Sequence, residues 1–386
     1  MIKVLLISSS YPQSKKSYRG IFIHKIMKEL LGMGCEIHVV TGVEAGKRVS
    51  EYEGIKIHQF DLPPVNLSDF GPRNFLSWLQ YSRTMLAYAK KTAGQINPDI
   101  IHGCWAVPGG LVAYRVGRST GKPVLVTFLG SGLRVGHRIP VVRSILKHYL
   151  NRVDCMVSDD ASEMFLYADR IGVTNPNRIH IPAGTDVDHF APGEPARSIS
   201  ARYRGRRVLL LVGWLRKVRG QDFAVRCMPE ILRKVPNAVL VLAGDGPTRK
   251  EVEALARETG VHKSVDFAGN VDNACLVDYY NLAEVVLFAS DTCNYSTASL
   301  FEAAACGAAI VATDARDTEL VVKPGKTGLL ARYGDVQGFS SAVVTMMESG
   351  GLRKICRENV RKLAVSNFSL KKSAERYYEA YRKIAE

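Results

Sequence analysis

The feature that most constrains this chain is the recurrence of strand-length apolar runs separated by helix-length amphipathic segments. Runs at 2–8, 36–41, 100–102, 123–128, 155–158 and 178–182 are followed by a polar stretch at 191–207 and then by a second series at 208–213, 238–243, 265–267, 285–289 and 309–313. Alternation of this kind builds parallel sheets covered by helices. The restart predicts an α/β protein of two parallel-sheet domains, 1–190 and 208–368, joined by a linker at 191–207. A chain of 386 residues is long enough for two cores. Within the second series, Gln221 to Lys234 places Phe223, Ala224, Cys227, Met228, Ile231 and Leu232 on one helical face. The closing segment, 369–386, is basic and amphipathic with Tyr377, Tyr378, Tyr381 and Ile384 as a stripe, and is expected to pack back on the first domain.

Composition removes several function classes. At 46% hydrophobic and 23% charged residues the chain is an ordinary globular protein rather than a disordered one. No apolar run approaches the ~18 residues of a membrane span, and the opening run is too short for a signal-peptide core. Eight cysteines stand without any CxxC pair, which predicts reduced thiols, no metal site and a cytoplasmic chain. The net charge of +15 is locally concentrated: 100–153 contains no Asp or Glu but holds Arg115, Arg118, Lys122, Arg134, Arg138, Arg143, Lys147 and Arg152. Over 133–153 these cations alternate with Ile139, Val141, Val142, Ile145, Leu146, Tyr149 and Leu150, as in a basic amphipathic helix. We expect Arg138, Arg143 and Lys147 to face an anionic membrane surface or a lipid-linked acceptor, placing the protein peripherally on the inner face of the cell membrane. No nucleic-acid motif accompanies the charge, so nucleic acid is not an expected partner.

An open parallel sheet binds ligands beyond the carboxyl ends of its strands. The loop after the first strand, SSSYPQSKKSYRG, is not a GxGxxG turn, which argues against a nicotinamide or flavin cofactor. Gly20 in that loop lets backbone approach a diphosphate. Gly244, Asp245 and Gly246 join a strand to a helix, a turn that is as compatible with tight packing as with a nucleotide contact. Ser296, Thr297, Ala298 and Ser299 open a helix whose free N–H groups suit a diphosphate. Glu302 lies on that otherwise small and apolar helix, where an unpartnered carboxylate would be costly, and a ribose diol is a good partner for it. Asp186 and Asp188 form a DxD pair read as structural, and His24 and His102 are read as packed histidines.

Several segments in order resemble the retaining glycosyltransferases of the GT-B fold, family 4: RGIFIHKIMKELLGMGCEIHVVTG, HGCWAVPGG, VTFLGSG, IPAGTDVDHFAP, VGWLRKVRGQD, LAGDGP, VDFAGNV and SLFEAAACGAAIVATD. The pattern is similar to bacterial enzymes of cell-surface polysaccharide synthesis. The resemblance implies a UDP or GDP sugar as donor, no metal, and transfer of a hexosyl group to a saccharide or lipid-linked acceptor. It places the ribose on Glu302 and the diphosphate on Arg219, where the family has Lys, with Arg216 and Lys217 nearby. Gly130 and Ser131 align with the family's loop of the first domain. The sequence departs from the family at Asn294, where the first Glu of its Glu-x7-Glu motif stands, at Trp214, where an Arg is common, and at Leu129 and Gly132, where His and Asp are usual. Those departures keep two alternatives open, a non-catalytic GT-B partner subunit and a nucleotide-sugar epimerase.

Overall fold

The computed structural model describes all residues except 15–19, 44–47, 63–64, 66–73, 130–132, 134–138, 160–162, 291–297 and 316–317. The chain forms two compact units, Met1–Ala183 with Leu370–Glu386, and Gly184–Ser369.

The first unit is built on β1 (Lys3–Ile7), β2 (Glu36–Gly42), β3 (Glu51–Tyr52), β4 (Ile55–Phe60), β5 (Ile100–Cys104), β6 (Val124–Phe128), β7 (Cys155–Ser158) and β8 (Arg178–His180). Their order in the sheet is β3-β4-β2-β1-β5-β6-β7-β8, parallel throughout except for the β3/β4 pair. Among the described residues, the strands are connected by α1 (Ile21–Gly32), α2 (Phe75–Ile96), α3 (Leu111–Thr120), α4 (Pro140–Leu150) and α5 (Glu163–Arg170). Because successive strand residues point to opposite faces, the sheet feeds two cores. Leu5, Ile7, Ile101 and Val126 pack under α2 to α5, while Val4, Leu6, Ile100 and Leu125 pack on the other side.

The second unit opens with α6 (Arg197–Arg202) and has a wholly parallel sheet of β9 (Arg207–Val212), β10 (Ala238–Ala243), β11 (Val265–Gly269), β12 (Val285–Phe288), β13 (Ile310–Thr313) and β14 (Leu329–Ala331), ordered β11-β10-β9-β12-β13-β14. Its remaining helices are α7 (Gln221–Lys234), α8 (Arg249–Glu258), α9 (Asn273–Leu282), α10 (Ala298–Ala305), α11 (Thr318–Val321), α12 (Val336–Glu348) and α13 (Gly350–Asn367). One core holds Leu209, Leu211, Leu240 and Leu242 against α7, α8 and α12; the other holds Val208, Leu210, Val239 and Val241 against α9, α10 and α13. The last helix, α14 (Leu370–Ala385), is in the first unit and contributes Ala374, Tyr377, Ala380 and Tyr381 to the core it shares with α1.

Three details differ from the reading of apolar runs. Strands β3, β4 and β14 are not among those runs: β4 alternates buried Ile55 and Ile57 with exposed Lys56 and half-buried His58, β3 is the two residues Glu51 and Tyr52, and β14 is an edge strand of three residues, Leu329–Ala331. Residues 191–207 are no bare linker, since Tyr203 and the neighbouring Phe190 are buried in the second unit and the Tyr203 hydroxyl donates to Asp266 at 2.5 Å. The division falls at 183/184 instead. The apolar stripe of 133–153 also splits. Leu146, Tyr149 and Leu150 of α4 are buried, whereas Val141 and Ile145 are 69% and 39% exposed.

Candidate functional site

In the second unit the strand order reverses between β9 and β12. From β9 the chain leaves through α7 into one core, and from β12 through α10 into the other, so the carboxyl ends of these strands border a crevice of the kind in which open α/β sheets bind ligands. The backbone there is closely packed. A Cβ at Gly220, just before α7, would lie 1.7 Å from the Ala289 carbonyl oxygen beyond β12, and a Cβ at Gly244 would lie 2.1 Å from that of Gly213. Both glycines also have positive φ, at 71° and 150°, so no other residue fits without moving the turn. Gly244 is thereby explained by packing. Asp245 is engaged locally, accepting from the Gly246 N–H at 2.8 Å and facing Arg249 at 3.4 Å.

Glu302 sits on α10 among buried Leu300, Phe301, Ala303 and Ala304, half-buried itself. Its carboxylate has found protein partners. The Tyr280 hydroxyl donates to Oε2 at 2.9 Å, and Asn273 Nδ2 donates to Oε1 at 3.3 Å. Tyr280 is fully buried, whereas Asn273 is exposed at the first turn of α9. Burial pushes the Tyr280 hydroxyl pKa well above its ordinary value, the neighbouring Glu302 carboxylate pushes it the same way, and Arg219 pulls it down. Arg219 therefore belongs to the electrostatic surroundings of the Tyr280–Glu302 pair. A Cβ on Gly213, at the end of β9, would stand 3.6 Å from the Arg219 guanidinium, which fixes that cation over the strand end.

The structure separates the cations that are adjacent in sequence. Lys217, Val218 and Arg219 form a single 3-10 turn, around which successive side chains diverge. Arg219 points to Gly213, while Arg216 and Lys217 line a cavity of about 500 Å³ walled by Gln221, Asp222, Thr248 and Tyr333 on the α7/α8 side. Glu302 is not among its walls. The Arg216 guanidinium lies over the Trp214 ring at 4.8 Å, so the indole that replaces the family's Arg holds a neighbouring one.

Other sequence candidates are placed as follows. Gly20 has φ 73°, and a Cβ there would meet the Ser10 oxygen at 2.4 Å, so close backbone packing already requires glycine. Ala298 opens α10. Asn294, Ser296, Thr297, Gly130, Ser131, Gly132 and Arg138 lie outside the described residues. Leu129 is buried and packs in the core of the first unit. Arg143 and Lys147 are exposed on α4, on the same helix as the exposed Val141 and Ile145. The Asp186 carboxylate accepts from the N–H groups of Asp188 and His189, which explains the DxD pair as a turn. His24 is packed against the Tyr11 hydroxyl at 2.9 Å, and His102 is enclosed by Tyr381 and Thr127. Sequence reasoning missed Tyr280 and Asn273. No local signal marks them, because only the packing of α9 beside α10 brings them to Glu302.

A family model described as glycosyl transferases group 1 matches residues 194–363, and one described as glycosyl transferase 4-like matches residues 16–160. A GDP-mannose-dependent alpha-(1-6)-phosphatidylinositol monomannoside mannosyltransferase of Mycolicibacterium smegmatis is 29% identical over 53% of this chain and 56% of that relative. The protein of the same name in Mycobacterium tuberculosis is 25% identical over 90% of this chain and 89% of its own length. Among solved structures, HepE of Anabaena in complex with UDP superposes with a TM-score of 0.78 at 17% identity, covering 99% of this chain and all of that one. At that identity the likeness shows the fold alone.

Proposed function

Since the chain belongs to the two-domain GT-B glycosyltransferases, a 4-like domain in its first half and a group 1 domain in its second, we propose that it moves a hexosyl group from a UDP or GDP sugar, with retention, to a saccharide or lipid-linked saccharide during cell-surface polysaccharide or glycoconjugate synthesis. One observation supports this reading: Glu302 is held by the Tyr280 hydroxyl at 2.9 Å, and the charge of Arg219 acts on that same hydroxyl. In it, Glu302 accepts from the ribose hydroxyls and Arg219 takes the diphosphate. An Arg can bond two phosphate oxygens at once, where the family's Lys offers a point charge. Arg216 and Lys217, on the neighbouring cavity, then bear on the diphosphate only through longer-range charge.

With Leu129 standing where the family has His, the first unit supplies no imidazole at that position. Transfer in this reading rests on donor positioning and on cationic stabilisation of the departing diphosphate by Arg219 and backbone N–H groups. The bond from anomeric carbon to diphosphate oxygen breaks, and the acceptor hydroxyl bonds to that carbon on the same face while its proton passes to the leaving phosphate. Calorimetric titration with UDP, GDP and their sugars, then product analysis with and without acceptor, tests the reading. Binding followed by acceptor-dependent transfer supports it. Donor conversion without acceptor would turn the assignment to an epimerase, and absence of binding to a non-catalytic partner subunit, the reading favoured by Leu129 and Asn294.

Membrane contact belongs to the same proposal. On α4, exposed Val141 and Ile145 stand one turn apart among Arg143 and Lys147, a surface suited to acyl chains below and anionic headgroups around. Among the described residues no helix is long and apolar enough to cross a membrane. The mycobacterial relatives, named for a phosphatidylinositol mannoside substrate, are consistent with a lipid-linked acceptor. Replacing Arg143 and Lys147 by Ser should weaken binding to phosphatidylglycerol vesicles about 10- to 30-fold in co-sedimentation; unchanged sedimentation would remove α4 from the membrane.

A further inference from the structure

Two of the groups that hold Glu302, Tyr280 and Asn273, differ in a way that bears on how a ribose would enter. Tyr280 and Asn273 come from the same helix face, seven residues apart, and grip opposite oxygens of one carboxylate. Tyr280 is completely buried, and its hydroxyl stands 2.9 Å from Glu302 Oε2 and 3.3 Å from the Ser299 carbonyl oxygen, both acceptors. A phenol has one proton to donate, and the shorter contact to a charged acceptor takes it. Asn273 is its opposite: exposed, bonded at 3.3 Å, near the long end of the hydrogen-bond range, and able to exchange Glu302 for water at little cost.

From this difference we propose that Tyr280 is a permanent positioning residue for ribose recognition, and that Asn273 is a placeholder which the ribose hydroxyl displaces from Oε1. The inference rests on the reading of Glu302 as the ribose-binding carboxylate. A carboxylate has two oxygens, each able to accept, so Oε2 can keep its bond to Tyr280 while Oε1 exchanges the Asn273 amide for a ribose hydroxyl. Oε1 points where Asn273 already donates, and there the ligand and the amide compete. The two substitutions should therefore act differently, Tyr280→Phe weakening ribonucleotide binding and Asn273→Ala not weakening it, although both remove one hydrogen bond to the same group. A purely structural role for the pair would give the same sign twice.

Binding of UDP and GDP is measured beside that of their 2′,3′-dideoxy forms, in the full chain and in Tyr280→Phe, Asn273→Ala and Glu302→Gln. Thermal melting confirms that each variant folds; Phe keeps the volume of the buried ring. Tyr280→Phe should lower affinity for the ribonucleotide ~3- to 10-fold and leave the dideoxy form nearly unchanged, because only the hydroxyl contact depends on the aim of Glu302. Asn273→Ala should leave ribonucleotide affinity unchanged or raise it up to ~3-fold. Equal losses for the ribo and dideoxy forms in Tyr280→Phe, or a loss in Asn273→Ala, overturns the proposal. If Glu302→Gln leaves the ribo/dideoxy preference intact, or the wild-type chain binds neither nucleotide, the underlying site reading fails. If Glu302→Gln erases the preference while Tyr280→Phe does not, the positioning role alone fails.

Discussion

Two tyrosine-centred polar networks, one in each unit, use the same chemistry to different ends. In the first unit, Tyr381 meets His102 Nδ1 at 2.7 Å, His102 Nε2 meets Thr127 at 2.7 Å, and Thr127 meets Tyr377 at 3.1 Å. All four side chains are buried, and they fasten α14 to β5 and β6. A neutral imidazole has one donor and one acceptor, and both are used, so the network is closed. In the second unit Tyr280 is as deeply buried as Tyr381, but its partner Glu302 is half-buried, and Asn273, which also donates to Glu302, is exposed. A polar network whose members are all enclosed holds elements together; one with an exchangeable end can bind.

The comparison is most sharply tested where the effects are largest. Tyr381→Ala removes a fully buried aromatic ring and leaves His102 without its Nδ1 partner. It should cost about 3 to 5 kcal/mol of stability in chemical denaturation, with nucleotide affinity of the folded protein unchanged. A loss of affinity without loss of stability would mean the closed network is not merely a fastener. Glu302→Ala should do the reverse, weakening nucleotide binding by about 1.5 to 3 kcal/mol while the melting temperature moves little. Full affinity after that change would take Glu302 out of the site and with it the contrast between the two networks.

The third effect is graded, and per pH unit it is the smallest. Burial holds His102 at about 3, well below its ordinary value, so the ring is neutral in the folded chain. Below about pH 6.5 the unfolded chain binds a proton that the folded chain refuses. The stability associated with His102 is therefore fully present above that pH and declines as pH falls toward 3, by at most about 1.4 kcal/mol per pH unit. Denaturation of wild type and His102→Gln across pH 4 to 7 checks this: the substitution should flatten that part of the slope. Equal slopes in the two proteins would mean that the ring is not kept neutral.

Much of this was legible beforehand. The repeated alternation of runs anticipated both parallel sheets, and the tyrosine stripe of 370–385 anticipated which side of α14 is buried, because each is set by a local period that survives any tertiary arrangement. The cost of an isolated carboxylate on a small-residue helix also announced that Glu302 would have a polar partner. Its identity was not legible: Tyr280 comes from a helix that precedes β12, and only packing of α9 beside α10 brings the two together.

The sequence by itself determined the two series of strands, the amphipathic faces and the residues whose chemistry demands a partner. Tertiary structure alone decided which partners they meet. It set Arg219 apart from Arg216 and Lys217, because a tight turn sends neighbouring side chains in different directions. It buried half of the apolar residues of α4 and left Val141 and Ile145 exposed. It placed β9 beside β12, and beyond the ends of these strands the Ser290 hydroxyl donates to the Val218 carbonyl, 72 residues away in the chain. Patterns of three or four residues are fixed by backbone geometry, whereas contacts across a parallel sheet depend on strand order, which no local period encodes.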